Sequence, residues 1–215
     1  MKRRAVLLTA AAIAAPSVAM ADRYEATITV RPLAGSATVR EDGAPSSASV
    51  TALGLAGGLS WGLRNWLDVG ADLAAINLPE ATFAGATAPI SGTPHTGDVT
   101  RASRLALLRL GATLRLGVGW VPTLHASLGP VLRTRTDAVM VRDASGPLGI
   151  IPDNGHGGAS FDVAATLRAG FEHRLTRRWS VGVDLGVTHL LGLGAPSVDV
   201  IEGAVSVGYT WYPLW

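Results

Sequence analysis

Fifteen charged residues sit at alternate positions within long stretches of period-two sequence. They are Glu25, Arg31, Asp68, Asp72, Arg109, Arg115, Arg133, Arg135, Asp137, Asp162, Arg168, Glu172, Arg174, Asp184 and Glu202. Seven arginines and eight acids brought together on one face can interlock as ion pairs, or they can line a polar path. Arg109, Arg115, Arg133, Arg135 and Arg168, with Asp68, Asp72, Asp184 and Glu202, are the candidates for such a network. The histidines carry less. His95 and His156 fall in Gly/Pro-rich segments near Asp98, Asp153 and Asn154, where solvated loop residues are the default over a metal site. His173 and His189 fall on the opposite, apolar face. With no cysteine there are no disulfides and no thiolate metal sites. No metal and no cofactor is assigned.

The elements that must hold these charges read as strands, because apolar and polar residues alternate. Eight segments show the pattern: 24–34, 47–63, 66–78, 104–120, 124–137, 160–175, 179–190 and 198–215. In 104–120, for example, Leu108, Leu110, Ala112, Leu114 and Leu116 alternate with Arg109, Gly111, Thr113 and Arg115. Each segment is long enough to cross a bilayer when tilted. Short turns are expected at Arg64-Asn65, Val121-Pro122-Thr123 and Thr176-Arg177-Arg178. Longer loops are expected near 40–47, 84–100, 138–159 and 191–197. Short turns at one end and long loops at the other are the pattern of an outer-membrane barrel, and an even strand count puts both termini on the short-turn side.

The N-terminus is set aside from the fold. Lys2, Arg3 and Arg4 precede an apolar run, Ala5 to Ala15, and Ala19-Met20-Ala21 closes it with small residues. That is the layout of a secretory signal peptide, expected to span 1–21 and to be cleaved after Ala21. The remaining residues 22–215 carry 15 Arg against 16 Asp plus Glu, so no basic stripe argues for nucleic acid. No uncharged apolar run beyond residue 22 is long enough for a membrane helix.

Period two alone also fits a soluble barrel with its apolar face inward. Tryptophan position decides between the two. Trp61, Trp66, Trp120, Trp179, Trp211 and Trp215 all lie beside a short turn or at the C-terminus. They are expected to form one girdle at the periplasmic membrane interface, where an indole is favoured between hydrocarbon and headgroups. The C-terminal run Val205-Ser206-Val207-Gly208-Tyr209-Thr210-Trp211-Tyr212-Pro213-Leu214-Trp215 resembles the assembly signal of outer-membrane barrels: a glycine, alternating hydrophobics and a terminal aromatic. With the strand count, the chain resembles the small OmpA/OmpW/OmpX-like barrels. That resemblance implies insertion by the barrel-assembly machinery, but a fold does not specify an activity. His125-Ala126-Ser127 resembles the His-x-Ser element of outer-membrane lipid A 3-O-deacylases, which implies a histidine base and a serine nucleophile. Here both residues are expected to face inward near the periplasm, with no acid partner identified, so no catalytic residue is assigned.

The expectation is an all-β protein, an eight-stranded antiparallel up-and-down transmembrane β-barrel in the bacterial outer membrane. Its interior is expected to be plugged, since eight strands leave a space that side chains nearly fill. The expected role is structural, or surface interaction through extracellular loops, with outer-membrane lipids around it and the loop partner unidentified. A narrow channel for small solutes is the alternative, and a lipid A-modifying enzyme the third.

Overall fold

The computed structural model describes residues 24–117, 119–141, 147–151, 158–192 and 196–213. Ten strands occur among them: β1 (Ala26–Val39), β2 (Ala48–Arg64), β3 (Leu67–Ile90), β4 (Thr93–Arg115), β5 (Trp120–Arg135), β6 (Ala138–Val141), β7 (Pro147–Ile151), β8 (Ala159–Arg174), β9 (Trp179–Leu191) and β10 (Val198–Trp211). Eight of them, all but β6 and β7, form a ring of antiparallel neighbours, and β1 pairs with β10 to close it. Closure removes the free sheet edges that a membrane-spanning sheet cannot expose to lipid. Residues 1–21, with the proposed export segment, lie outside the described residues.

The three short turns lie at one end, together with Ala26 and Trp211, which pair near the two termini. At the turn after β8, the Thr176 hydroxyl accepts from the backbone N–H of Arg178 (3.2 Å) and of Trp179 (3.1 Å), a side-chain-stabilised turn. The turn between β4 and β5 falls earlier than expected, at 116–119 rather than 121–123. Gly117 and Gly119 have φ of 110° and 81°, conformations that a residue with a Cβ resists. Pro122 therefore lies inside β5, opposite Phe171.

The long-loop end departs most from expectation. Residues 84–100 are not a loop. β3 leaves β2 after the Leu53–Asn77 pair and runs on to Ile90, paired with β4 throughout. Ser91 and Gly92, with φ of 50° and 83°, turn this hairpin tightly; positive φ at both central residues is the two-residue turn that matches strand twist. Within 138–159, β6 pairs with β4 through Asp98–Thr100, and β7 pairs with β6. The result is a four-stranded sheet, β3-β4-β6-β7, standing beyond the ring.

Inside, the barrel has two storeys. Leu33, Ile76, Leu78, Leu105, Leu107, Val131, Leu190 and Val200 fill the half nearer the long loops and belong to one apolar cluster. That cluster continues into the four-stranded sheet through Phe83, Val99, Ala138 and Met140. The charged groups fill the half nearer the short turns. The expectation of a polar inner face along every strand thus holds for only part of each strand.

Candidate functional site

Alternation brings the inward charges of six strands into the lower storey. Asp72 on β3 is the hub. Arg109, its direct neighbour on β4, donates to it from Nη2 (2.5 Å) and Nε (3.1 Å). Arg31 reaches the same carboxylate at 3.3 Å, and Arg168 stands 3.8 Å from its other oxygen. Arg109 is wholly buried, and its remaining Nη1 donates to Thr166 (3.0 Å) and Thr188 (3.4 Å). Both Arg109–Asp72 bonds end on Oδ2, and charge-assisted hydrogen bonds of this kind are about twice as strong as neutral ones. Arg115 bridges Asp68 and Glu172, the latter at 3.1 Å, and Arg174 pairs with Glu25.

Glu202 and Arg168 stay outside these bonds: among the described residues neither carboxylate oxygen of the buried Glu202 is hydrogen-bonded, and none of the guanidinium nitrogens of Arg168 makes a hydrogen bond. Space for Arg168 comes from Gly186 across the ladder, where a Cβ would collide with the arginine's Cγ. A cavity of about 100 Å³ remains between Arg31, Asp72, Arg115, His125, Arg168 and Asp184. His125 shares a hydrogen bond with Thr113 (2.9 Å), and the Ser127 hydroxyl has no partner among the described residues. No hydrogen bond joins His125 to Ser127 among the described residues, and both face the interior rather than lipid.

Arg133 and Arg135 do not join this network. They lie beyond the apolar storey, at the mouth. Arg133 donates to the carbonyl of Pro196 (2.8 Å), tying β5 to the β9–β10 connection. Nearby, Arg101 on β4 pairs with Glu41 of the β1–β2 connection at 3.1 Å. Burial pushes the Glu41 carboxyl above its ordinary pKa, against the pull of Arg101, Arg135 and Arg133. Asp137 is exposed rather than inward, because β5 has already ended. The roles of Arg101 and Glu41 were missed because both lie in segments read as loop or as strand margin. His95 lies on β4, and the Asp98 carboxylate accepts from Gly85 N–H (3.1 Å). No cluster of three or more metal-ligating side chains occurs among the described residues. His156, Asp153 and Asn154 lie outside them.

The outer surface is the inverse of a soluble protein's. Leu110, Leu185 and Phe161 are 66%, 71% and 75% exposed, and large aliphatic side chains stand outward on every strand of the ring. An apolar surface continuous around the molecule marks contact with lipid. The aromatic edge of this belt lies at the short-turn end. Trp61 and Trp211 flank Ala26 in one lateral row. Trp179 packs edge-on against Tyr209 at 5.0 Å, Trp120 stacks on His173 at 4.9 Å, and Trp66 stands exposed at the β2–β3 turn. Trp215 lies outside the described residues. The other edge is polar: His189, Asp199, Thr38 and Ser49 form one lateral row, and Asn77, Arg104 and Thr134 another. From Thr51 to Trp61 on β2 is ten residues, about 33 Å of strand, or about 25 Å of height at a usual tilt. That height matches the apolar band of a membrane barrel.

No family model matches the chain, and no curated protein matches it. Among solved structures it is similar to Ail of Yersinia pestis, at 14% identity and a TM-score of 0.48, covering 88% of this chain and 100% of that one. It is also similar to the N-terminal β-barrel domain of Pseudomonas aeruginosa OprF (14%, TM-score 0.44, covering 88% and 98%) and to Neisserial surface protein A (15%, TM-score 0.42, covering 87% and 97%). Its own closed ring, inward charges and lipid-facing belt make this chain a small eight-stranded transmembrane β-barrel of the bacterial outer membrane.

Proposed function

We propose that the chain is a non-conducting envelope protein whose working surface is the extracellular sheet β3-β4-β6-β7. The observation that carries this is the hairpin of β3 and β4, which continues far beyond the lipid belt and carries the interior apolar cluster with it through Phe83 and Val99. A barrel that only filled membrane would need no such extension. The lower storey, on this reading, is a structural network of Arg109, Arg115, Arg168, Asp68, Asp72, Asp184 and Glu202. Arg133 and Arg135 instead help hold the mouth connections. The tryptophans anchor the periplasmic edge, and the barrel-assembly machinery inserts the chain.

The channel alternative has one observation in its favour, the polar cavity of about 100 Å³. Against it, the apolar storey above offers an ion no partner. The deacylase alternative lacks a base-to-nucleophile hydrogen bond, and a Ser127→Ala variant with full lipid A deacylation would remove its nucleophile. The test of the main proposal replaces residues 79–102 with a two-residue turn. The trimmed chain is expected to keep the heat-dependent gel shift of a folded barrel. Cells displaying it should lose adhesion, to one another and to immobilised matrix, that cells displaying the intact chain show. Equal adhesion by both would contradict the proposal.

A further inference from the structure

On the outer face of β2 to β5, two apolar hollows run into one another. The upper has a volume of about 540 Å³ and the lower about 560 Å³, and they share Leu55, Ala75, Ala106 and Leu132. Ala75 and Ala106 are direct cross-strand neighbours and form the floor. Leucines on β2 and β5 form the walls, so small side chains between large ones leave a trench along the lipid face. At its upper end stands Arg104, with Asn77 paired on one side and Thr134 on the other.

Arg104 differs from the inward arginines. It is exposed, it makes no ion pair among the described residues, and no acid lines either hollow. A guanidinium at the edge of a hydrocarbon belt keeps its stem in apolar surroundings and its head at the interface. There it lacks an anion that the protein itself does not supply. We propose that this trench binds a phosphorylated lipid of the outer leaflet. Arg104 receives the phosphate, with Asn77 and Thr134 as flanking donors, and acyl chain lies over Ala75 and Ala106. Planar, two-pronged donation suits a phosphate. The proposal rests on the barrel lying in a bilayer and is independent of what the extracellular sheet binds.

The test uses the full barrel refolded in detergent, with native mass spectrometry to count bound hexa-acylated bisphosphoryl lipid A. Wild type is expected to retain the lipid. Arg104→Gln should lower the bound fraction about tenfold, the loss of one charge-assisted contact. Ala106→Phe, which fills the trench and leaves the charge, should also lower it. Arg64→Gln, which removes an exposed cation at the opposite end, should bind as wild type does. The same lipid stripped of phosphate should bind weakly, and inorganic phosphate should not displace the intact lipid. Wild-type retention by Arg104→Gln, equal binding of the stripped lipid, or displacement by inorganic phosphate would overturn the proposal. So would a wild-type barrel that shows the gel shift and binds no lipid A, a result that leaves the membrane fold intact.

Discussion

Asp72 and Glu202 are both buried carboxylates in the lower storey, yet their surroundings set them opposite tasks. Three arginines converge on Asp72, so removing it leaves buried cations uncompensated. Asp72→Ala is expected to cost about 3–5 kcal/mol in urea unfolding from lipid vesicles, the usual penalty for breaking a buried pair. Glu202 accepts no hydrogen bond among the described residues. The storey holds Arg31, Arg109, Arg115, Arg168 and Arg174 against Glu25, Asp68, Asp72, Glu172, Asp184 and Glu202, so Glu202→Met leaves equal numbers. That variant is expected to be neutral or to gain about 1–3 kcal/mol in the same assay; a loss as large as that of Asp72→Ala would show that Glu202 has a partner. At the mouth, the raised pKa of Glu41 means that the folded chain holds this proton more tightly than the unfolded chain does. Stability from this group is therefore full below the ordinary carboxylate value and falls as pH rises through the raised one. Hydrogen exchange in residues 40–47, corrected for its intrinsic pH dependence, is expected to be slower at mildly acid pH than at neutral pH. Glu41→Gln should abolish the difference.

At the scale of the element, the ring strands were legible in the sequence because both faces speak: charge inward, leucine and valine outward. The signal fails where both faces are apolar. Leu105 and Leu107 on β4 point inward and Ala106 and Leu108 outward, so the upper storey left no alternation to read. The long β3–β4 hairpin was missed for another reason. Pro89 and Pro94 fall in the Gly/Pro-rich stretch 84–100 that reads as a loop, but bulges after Leu78 and Phe83 let β3 continue, and Pro89 and Pro94 face each other beside the turn. The Ser91-Gly92 dipeptide was the available signal. Of the candidate network, Arg109, Arg115, Arg168, Asp68, Asp72, Asp184 and Glu202 share the inward parity that groups them in the sequence, and they lie in the lower storey. Parity says nothing of height, which is why Arg133 and Arg135 were grouped with charges a full apolar layer away. The tryptophan row makes an element-scale prediction. Trp61, Trp66, Trp120, Trp179 and Trp211 share one end, so their fluorescence should be quenched more by lipids brominated near the headgroup than by lipids brominated at the chain ends. The reverse order would place them at mid-membrane.

For the whole molecule, the account reduces to a closed tube. A charged storey pairs most of its ions around Asp72, Asp68 and Glu25, an apolar storey blocks the way above it, and an outer belt of about 25 Å meets lipid. Leu107 and Leu190 are fully buried in the blocking layer, so Leu107→Ser combined with Leu190→Ser is expected to admit water and ions. The most direct test is single-channel conductance in a planar bilayer, using refolded protein that shows the heat-dependent gel shift. The account predicts a silent wild-type barrel and a conducting double variant. Steady, salt-dependent conductance from the wild type, altered by replacing Arg115, would contradict it and make the lumen a path for small solutes.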